Sequence, residues 1–564
     1  MKEKLIIYQV FPRIFTNMNA NCVQGGTYEQ NGSGKFNDLS PKVLKSVADL
    51  GVNCIWLTGV IEMATKTAFA GIPADNPNVV KGEAGSPYAI KDYYDVAPSL
   101  AEDVEHRMEE FEALVKRIHQ QGMKVIIDFV PNHTARVYHS DVAPAGVKDF
   151  GNDDDYSKFF SASNNYYYIV NQQFSPDFPL DSEGTVPYVE FPAKATGNDC
   201  FTAFCLRNDW YETVKLNYGY DPGDHSRHFD PAPDTWLKML HILRFWAKKG
   251  VDGFRCDMVF MVPQEFWHWA IPQVKKDYPD VIFIGEIYDV NLYRSFLDYC
   301  HFDYLYDKVN LYDTLVGIEK HNISAAQLTS CWQRVDGIGD SMLNFLENHD
   351  EVRFASREYA DDPAKVVPSL VVSSMISRGP FMIYYGQELG EMAHDNEGFA
   401  GDNNRSTIFD YWSYDTLRRW YDGGKCSALK LTRHERWLRN LYKRVLTMCN
   451  SHRAIREGSF FDLMYVNLRH DGFNPHRQYA FLRYTEDEAL LIIANFDNKE
   501  AMLSLNIPEL AIDMAGLASV EQRSKDLLWG KEYTFSVGSD AETRLIVGAH
   551  DAIILPLKIN DRKL

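Results

Sequence analysis

The sequence predicts an α/β architecture: a (β/α)8 barrel with an irregular subdomain inserted after its third strand and an antiparallel β domain at the C-terminus. Three observations predict it. Short apolar runs rich in β-branched residues recur through most of the chain, amphipathic helical stretches lie between several of them, and after about His452 the pattern turns to alternating β segments. Eight non-alternating strand candidates over about four hundred residues suit a closed barrel with insertions better than a doubly wound open sheet.

The first strand is LIIYQVF at 5–11, followed by PKVLKSVADLG and a second strand, VNCIWLTGV, at 52–60. In FEALVKRIHQQG the residues Phe111, Leu114, Val115 and Ile118 form the i, i+3, i+4, i+7 stripe of a helix that leads into KVIIDFV at 124–130. From about Thr134 to Leu216 the alternation stops, and SASNNYYYIVNQQFSPDFPLDSEG is loop-rich and aromatic, as an inserted subdomain would be. TWLKMLHILRFWAKKG restores the rhythm, with Asp234 as expected N-cap, Trp236, Met239, Leu240 and Leu243 on one face, and Gly250 at its end. It feeds VDGFRCD. VIFIGE at 281–286, FDYLYD at 302–307, SMLNFLEN at 341–348 and PFMIYYG at 380–386 complete the set. RQYAFLRYT, ALLIIANFD and AMLSLNIP then read as antiparallel strands. The expected division is a barrel over 1–133 and 217–451, an inserted subdomain over 134–216 and a C-terminal β-sandwich over 452–564.

Composition narrows the chemistry. A formal charge of −20 argues against nucleic acid or an anionic membrane surface as partner, because phosphate binding needs a basic face. A neutral substrate fits better, and the 32 tyrosines, 33 phenylalanines and 11 tryptophans suit sugar faces as well as a large core. No apolar run reaches membrane-spanning or signal-peptide length, so no membrane association is expected. The nine cysteines are odd in number, scattered, and without a CxxC pair or zinc spacing, which places the protein in a reducing cytoplasm. Cys200 and Cys205 would be free to pair only on export.

The charged residues fall where a barrel enzyme keeps its chemistry, at the carboxyl ends of the strands. Strand three ends in Asp128-Phe129-Val130-Pro131-Asn132-His133, strand four in Arg255-Cys256-Asp257, strand five in Gly285-Glu286 and strand seven in Asn348-His349-Asp350. Residues i and i+2 of a strand share a face, so Arg255 is expected beside Asp257, holding it as a carboxylate. Glu286, preceded by an apolar run and hemmed in by two anions, is expected to hold a proton. A fixed nucleophilic carboxylate and a protonated acid are the two parts of a retaining glycosidase. Singly, each of these residues reads as a salt bridge or a satisfied loop histidine; four such clusters at one rim do not.

With those residues in place, the sequence resembles the alpha-amylase superfamily of glycoside hydrolases. DFVPNH at 128–133, GFRCD at 253–257, GEIYD at 285–289 and ENHD at 347–350 are similar to its four signature regions, in order. KLNYG at 215–219 resembles its short fifth motif, and YQVFPRIF, GSPYAIKDYYDV and PFMIYYGQELG resemble its first strand, second-loop tyrosine motif and eighth strand. The resemblance implies Asp257 as nucleophile, Glu286 as general acid/base and Asp350 as transition-state stabiliser. Arg255, His133 and His349 would bind the same sugar, with Tyr88 stacked on it. It implies retention on α-1,4-linked glucans or maltooligosaccharides, with no cofactor required for the chemistry.

The sequence departs from the family in one place. Met258-Val259-Phe260 stands where many members carry a pair ending Lys-His used for substrate and calcium, while Asn132 matches the usual asparagine ligand of Ca2+. A glucanotransferase or isomerase would use the same intermediate, and a non-catalytic carbohydrate-binding relative is disfavoured by the presence of all three acids.

Overall fold

The computed structural model describes residues 3–182, 185–538 and 543–560. Its centre is a closed barrel of eight parallel strands. In chain order these are β1 (Ile6–Val10), β2 (Cys54–Leu57), β3 (Lys124–Phe129), β4 (Gly253–Cys256), β5 (Ile282–Gly285), β6 (Tyr304–Tyr306), β7 (Met342–Phe345) and β8 (Phe381–Tyr384). Each matches an expected apolar run, and β8 closes on β1 through Ile6 opposite Phe381. The strands are buried on both faces, which is why they carry continuous rather than alternating apolar runs.

Helices α1 (Pro41–Ala48), α2 (Arg107–Gln120) and α3 (Asp234–Lys248) follow the predicted stripes, with Phe111, Leu114, Val115 and Ile118 of α2 all buried. One detail differs. The N-cap of α3 is Pro233, not Asp234; the Asp234 carboxylate pairs instead with Lys238 at 2.7 Å and accepts from Asn165 at 2.9 Å. Gly250 ends the segment as expected, at φ +92°, a conformation a side chain would strain.

The long segment after β3 is pinned at its base, where His133–Ala135 pairs antiparallel with Thr213–Lys215. After the barrel, β9 (Ser459–Asp462), β10 (Gln478–Tyr484), β11 (Ala489–Asn495) and β12 (Asp551–Leu557) form a four-stranded antiparallel sheet. The AMLSL segment does not extend that sheet; it pairs with Thr543–Val547. The barrel and this sheet share one continuous apolar core, across which the wholly buried helix Val366–Met375 packs against β11 and β12.

Candidate active site

The carboxyl ends of the barrel strands bring the expected acids together. Arg255 points into the barrel from β4, where its guanidinium stacks over the rings of Trp56, Tyr88 and Tyr306 at 5.4, 5.3 and 5.5 Å. Tyr306 Oη accepts from its Nε at 3.2 Å. Nη1 donates to Asp257 Oδ1 at 2.7 Å, and Nη2 lies 2.8 Å from Glu286 Oε1 in an ion pair whose angle falls short of a hydrogen bond. One guanidinium thus holds the two acids that sequence reading pairs.

Glu286 has further donors. The Tyr288 hydroxyl reaches Oε1 at 2.6 Å and the Met258 backbone N–H reaches Oε2 at 2.8 Å. That N–H is aimed by a left-handed residue: Met258 sits at φ 42°, ψ 47°, backbone strain a methionine adopts only where the surroundings impose it.

Asp350 stands at the rim, with its side chain 38 % accessible, 3.0 Å from His349 Nε2 and 3.9 Å from Arg255 Nη2. His349 receives a hydrogen bond from Gln9 at Nδ1 (2.9 Å), which leaves Nε2–H facing Asp350 and the Tyr88 hydroxyl, 2.5 Å away. Tyr88 stacks on the His349 ring at 5.3 Å and donates to Asp128 at 3.3 Å. His133 lies across the mouth, its Nδ1 accepting from Asn132 Nδ2 at 3.1 Å. A cavity of about 280 Å³ touches Tyr88, His133, Asp257, Glu286 and Asp350. Three larger hollows, at the outer wall of β6 and β7, beside Phe260, and between Lys4 and Arg456, contain none of these acids.

The electrostatics correct one expectation. Burial pushes the Asp257 carboxyl well above the usual carboxylate range, the neighbouring Glu286 adds to the rise, and Arg255 opposes it only in part. Arg255 does not keep Asp257 ionised by itself, because its charge is shared with Glu286, with Asp128 at 3.5 Å and with Asp350. Burial acts to raise Asp350 too, but His349, Arg255 and Arg405 outweigh it and hold that carboxyl down at about 2. Burial and the nearby Lys215 lower His133 to about 3, so its ring is neutral.

The expected calcium ligand has another partner. Asn132 Oδ1 accepts from the Lys215 ammonium, which also meets Asp199 Oδ1 at 2.6 Å and the Met261 carbonyl at 3.0 Å. The ammonium fills the oxygen cluster a cation would need, so these residues do not fit a Ca2+ at Asn132.

Sequence reading missed several neighbours. Trp56 and Asp128 brace Arg255 and Tyr88 from inside the barrel, and Trp56 Nε1 donates to Asp128 at 3.1 Å. Trp210, Lys81, Glu212, Tyr288 and Phe409 line the cavity, and Lys81 pairs with Glu212 at 3.0 Å. Asp128 and Tyr288 lay inside quoted motifs and Trp56 inside the quoted second strand, and all three could have been singled out; the others come from segments without a periodic signal.

Comparison with known proteins agrees with this geometry. The chain is 25% identical over 589 residues to an alpha-glucosidase of Apis mellifera, covering 90% of this chain and 88% of that one. It is 22% identical over 540 residues to a cyclomaltodextrinase of Thermoanaerobacter pseudethanolicus, covering 93% and 75%. The fold superposes on an alpha-amylase of Geobacillus thermoleovorans complexed with acarbose, with a TM-score of 0.63 at 18% identity over 98% of each chain. The family model for the alpha-amylase catalytic domain matches residues 9–455, and the chain belongs to the alpha-amylase family of glycoside hydrolases.

Proposed function

We propose that this chain is a retaining hydrolase of α-glucosidic bonds, mainly α-1,4, in maltooligosaccharides or starch-derived glucans. The observation that carries the reading is the grip of one guanidinium on both Asp257 and Glu286. Two carboxyl groups held on adjacent nitrogens favour direct attack over the roughly 6.5–9.5 Å separation that an inverting enzyme needs for an intervening water.

In this reading an Asp257 oxygen attacks the anomeric carbon from below the ring while the bond from that carbon to the glycosidic oxygen breaks. Glu286 gives its proton to the departing oxygen. Water then attacks the same carbon, returns a proton to Glu286 and releases Asp257, so the configuration is retained. Asp350, held anionic at the rim, would grip sugar hydroxyls and support the positive charge that develops on the ring. His349 and neutral His133 would hydrogen-bond the same sugar, with Tyr88 beneath it as an apolar face. The acarbose bound by the Geobacillus thermoleovorans neighbour supports a glucan-shaped ligand.

The test is Asp257→Asn with maltotriose or a nitrophenyl maltooligosaccharide. Turnover is expected to fall by about three orders of magnitude or more with an unchanged circular-dichroism spectrum, and near-normal turnover would contradict the assignment.

A second reading, transfer to a sugar acceptor, draws support from Phe260. This ring is 37% exposed and packs edge-on to Tyr288, the Glu286 partner, at 6.2 Å, where an acceptor sugar could stack in place of water. Products longer than maltotriose from maltotriose would favour it. The nine unpaired thiols support a cytoplasmic location, and we place the domain boundaries at 133/134, 216/217 and 451/452.

A further inference from the structure

A second cluster of acids lies on the hairpin that follows β2, away from the catalytic mouth. Its strands are Ile61–Met63 and Ile90–Val96, and Glu62 stands directly opposite Asp92 in their register. Like charges directly opposite on paired strands are destabilising, the more so when buried. Glu62 and Asp92 are 3% and 0% exposed. Bulges on either side of this pair bring Asp95 onto the same face, and Asp141 joins from the segment beyond His139. One oxygen from each of the four lies within 4.8 Å of all the others.

The local cations do not neutralise this cluster. Arg107 pairs with Asp95, donating from Nε at 2.8 Å, and lies 3.9 Å from Asp141. Lys91 turns to Asp75 and the Pro73 carbonyl. Two oxygens, Glu62 Oε2 and Asp92 Oδ2, are buried with no hydrogen-bond partner, a state unfavourable to the carboxylate form unless a cation binds it.

We propose that Glu62, Asp92, Asp95 and Asp141 form a site for a calcium-sized divalent cation. All four donors are hard oxygens, as calcium and magnesium require. Oxygens on opposite sides of a calcium ion stand about 4.6–5.2 Å apart, against about 4.0–4.2 Å for magnesium. The four oxygens all lie within 4.8 Å of one another, close enough to meet on one ion, and calcium accepts such a mixed set of carboxylates where magnesium demands a near-ideal octahedron. Asp141, 45% accessible at its side chain, gives the ion an entry from solvent. Tyr88 stands two residues before Ile90, so an ion here would stiffen the strand that leads from the catalytic mouth.

The test titrates the full-length, chelator-treated protein with CaCl2 by calorimetry and with Tb3+ by tyrosine-sensitised luminescence. One saturable site is expected, with a calcium-dependent rise in Tm and weaker binding of Mg2+. Glu62→Gln/Asp92→Asn removes the repulsion as well as the ligands, so its ion-free form should melt no lower than ion-free wild type while binding at least tenfold more weakly. Asp141→Asn, at an accessible position that spares the fold, should also weaken binding. Lack of saturable binding at millimolar calcium, or equal affinity in both variants and wild type, overturns the site. An Asp350→Asn control should bind like wild type; loss of binding there would put the ion in the catalytic mouth and also overturn the proposal.

Discussion

Arg255 sets the charge balance of the catalytic mouth, because the carboxylates around it compete for one guanidinium inside a ring of aromatics. The pH dependence follows from that competition. Attack needs Asp257 ionised, and its carboxyl lies above the ordinary aspartate value of about 3.9. Activity should therefore fall, as pH drops, through a limb displaced upward from that value, while Asp350 at about 2 stays charged throughout. A kcat/KM profile between pH 3 and 8 checks this, and an acid limb at or below that of an ordinary aspartate would refute it. Tyr288→Phe removes a 2.6 Å donor to Glu286 and leaves the fold's apolar contacts in place. It should lower kcat by about 10- to 100-fold with KM nearly unchanged, since the bond gains strength only as Glu286 gives up its proton and becomes a carboxylate, and hydrogen bonds to charged groups contribute about 1.5–3 kcal/mol.

At the scale of single elements, β4 and the turn after it do most of the positioning. The strand aims Arg255 inward, the next side chain on the same face is Asp257, and the left-handed Met258 returns a backbone N–H to Glu286. The short strand Thr213–Lys215 does comparable work from the inserted segment. Lys215 ties Asn132, Asp199 and the Met261 carbonyl together, so it clamps the end of β3 to the loop after β4. Lys215→Met should cost about 1–3 kcal/mol, because Asn132 Oδ1 is left buried without its donor, and urea denaturation measures it. Added calcium should not restore wild-type stability to this variant, and full recovery would contradict the poor fit of these oxygens to the ion.

Across the whole molecule, the terminal sheet is fastened to the barrel rather than tethered to it. Arg483 of β10 is buried and donates to the carbonyls of Ile376, Ala454, Ile455 and Gly458, and burial lowers it to about 10. Those carbonyls lie on the barrel side and on the chain that enters the sheet. Arg483→Ala should destabilise the protein by about 3 kcal/mol or more, since several buried acceptors lose their donor together. Ending the chain at residue 451 should give insoluble protein, because the wholly buried helix Val366–Met375 would lose β11 and β12 from its outer face. A soluble, active truncation would contradict this.

The sequence by itself determined what depends on local pattern. All eight barrel strands, the main helical stripes and the Arg255–Asp257 pair were legible, because strand and helix periodicity fix which side chains share a face. Asp234 was misread as a cap because a helix terminus is chosen by the tertiary partners its side chain can reach, here Lys238 and Asn165. Only the folded structure decided how charge is shared. The upward push on Asp257, the ammonium beside Asn132 and the Glu62–Asp92 opposition all arise between residues far apart in the chain. Burial and distance set the strength of such interactions, and neither is written in local sequence.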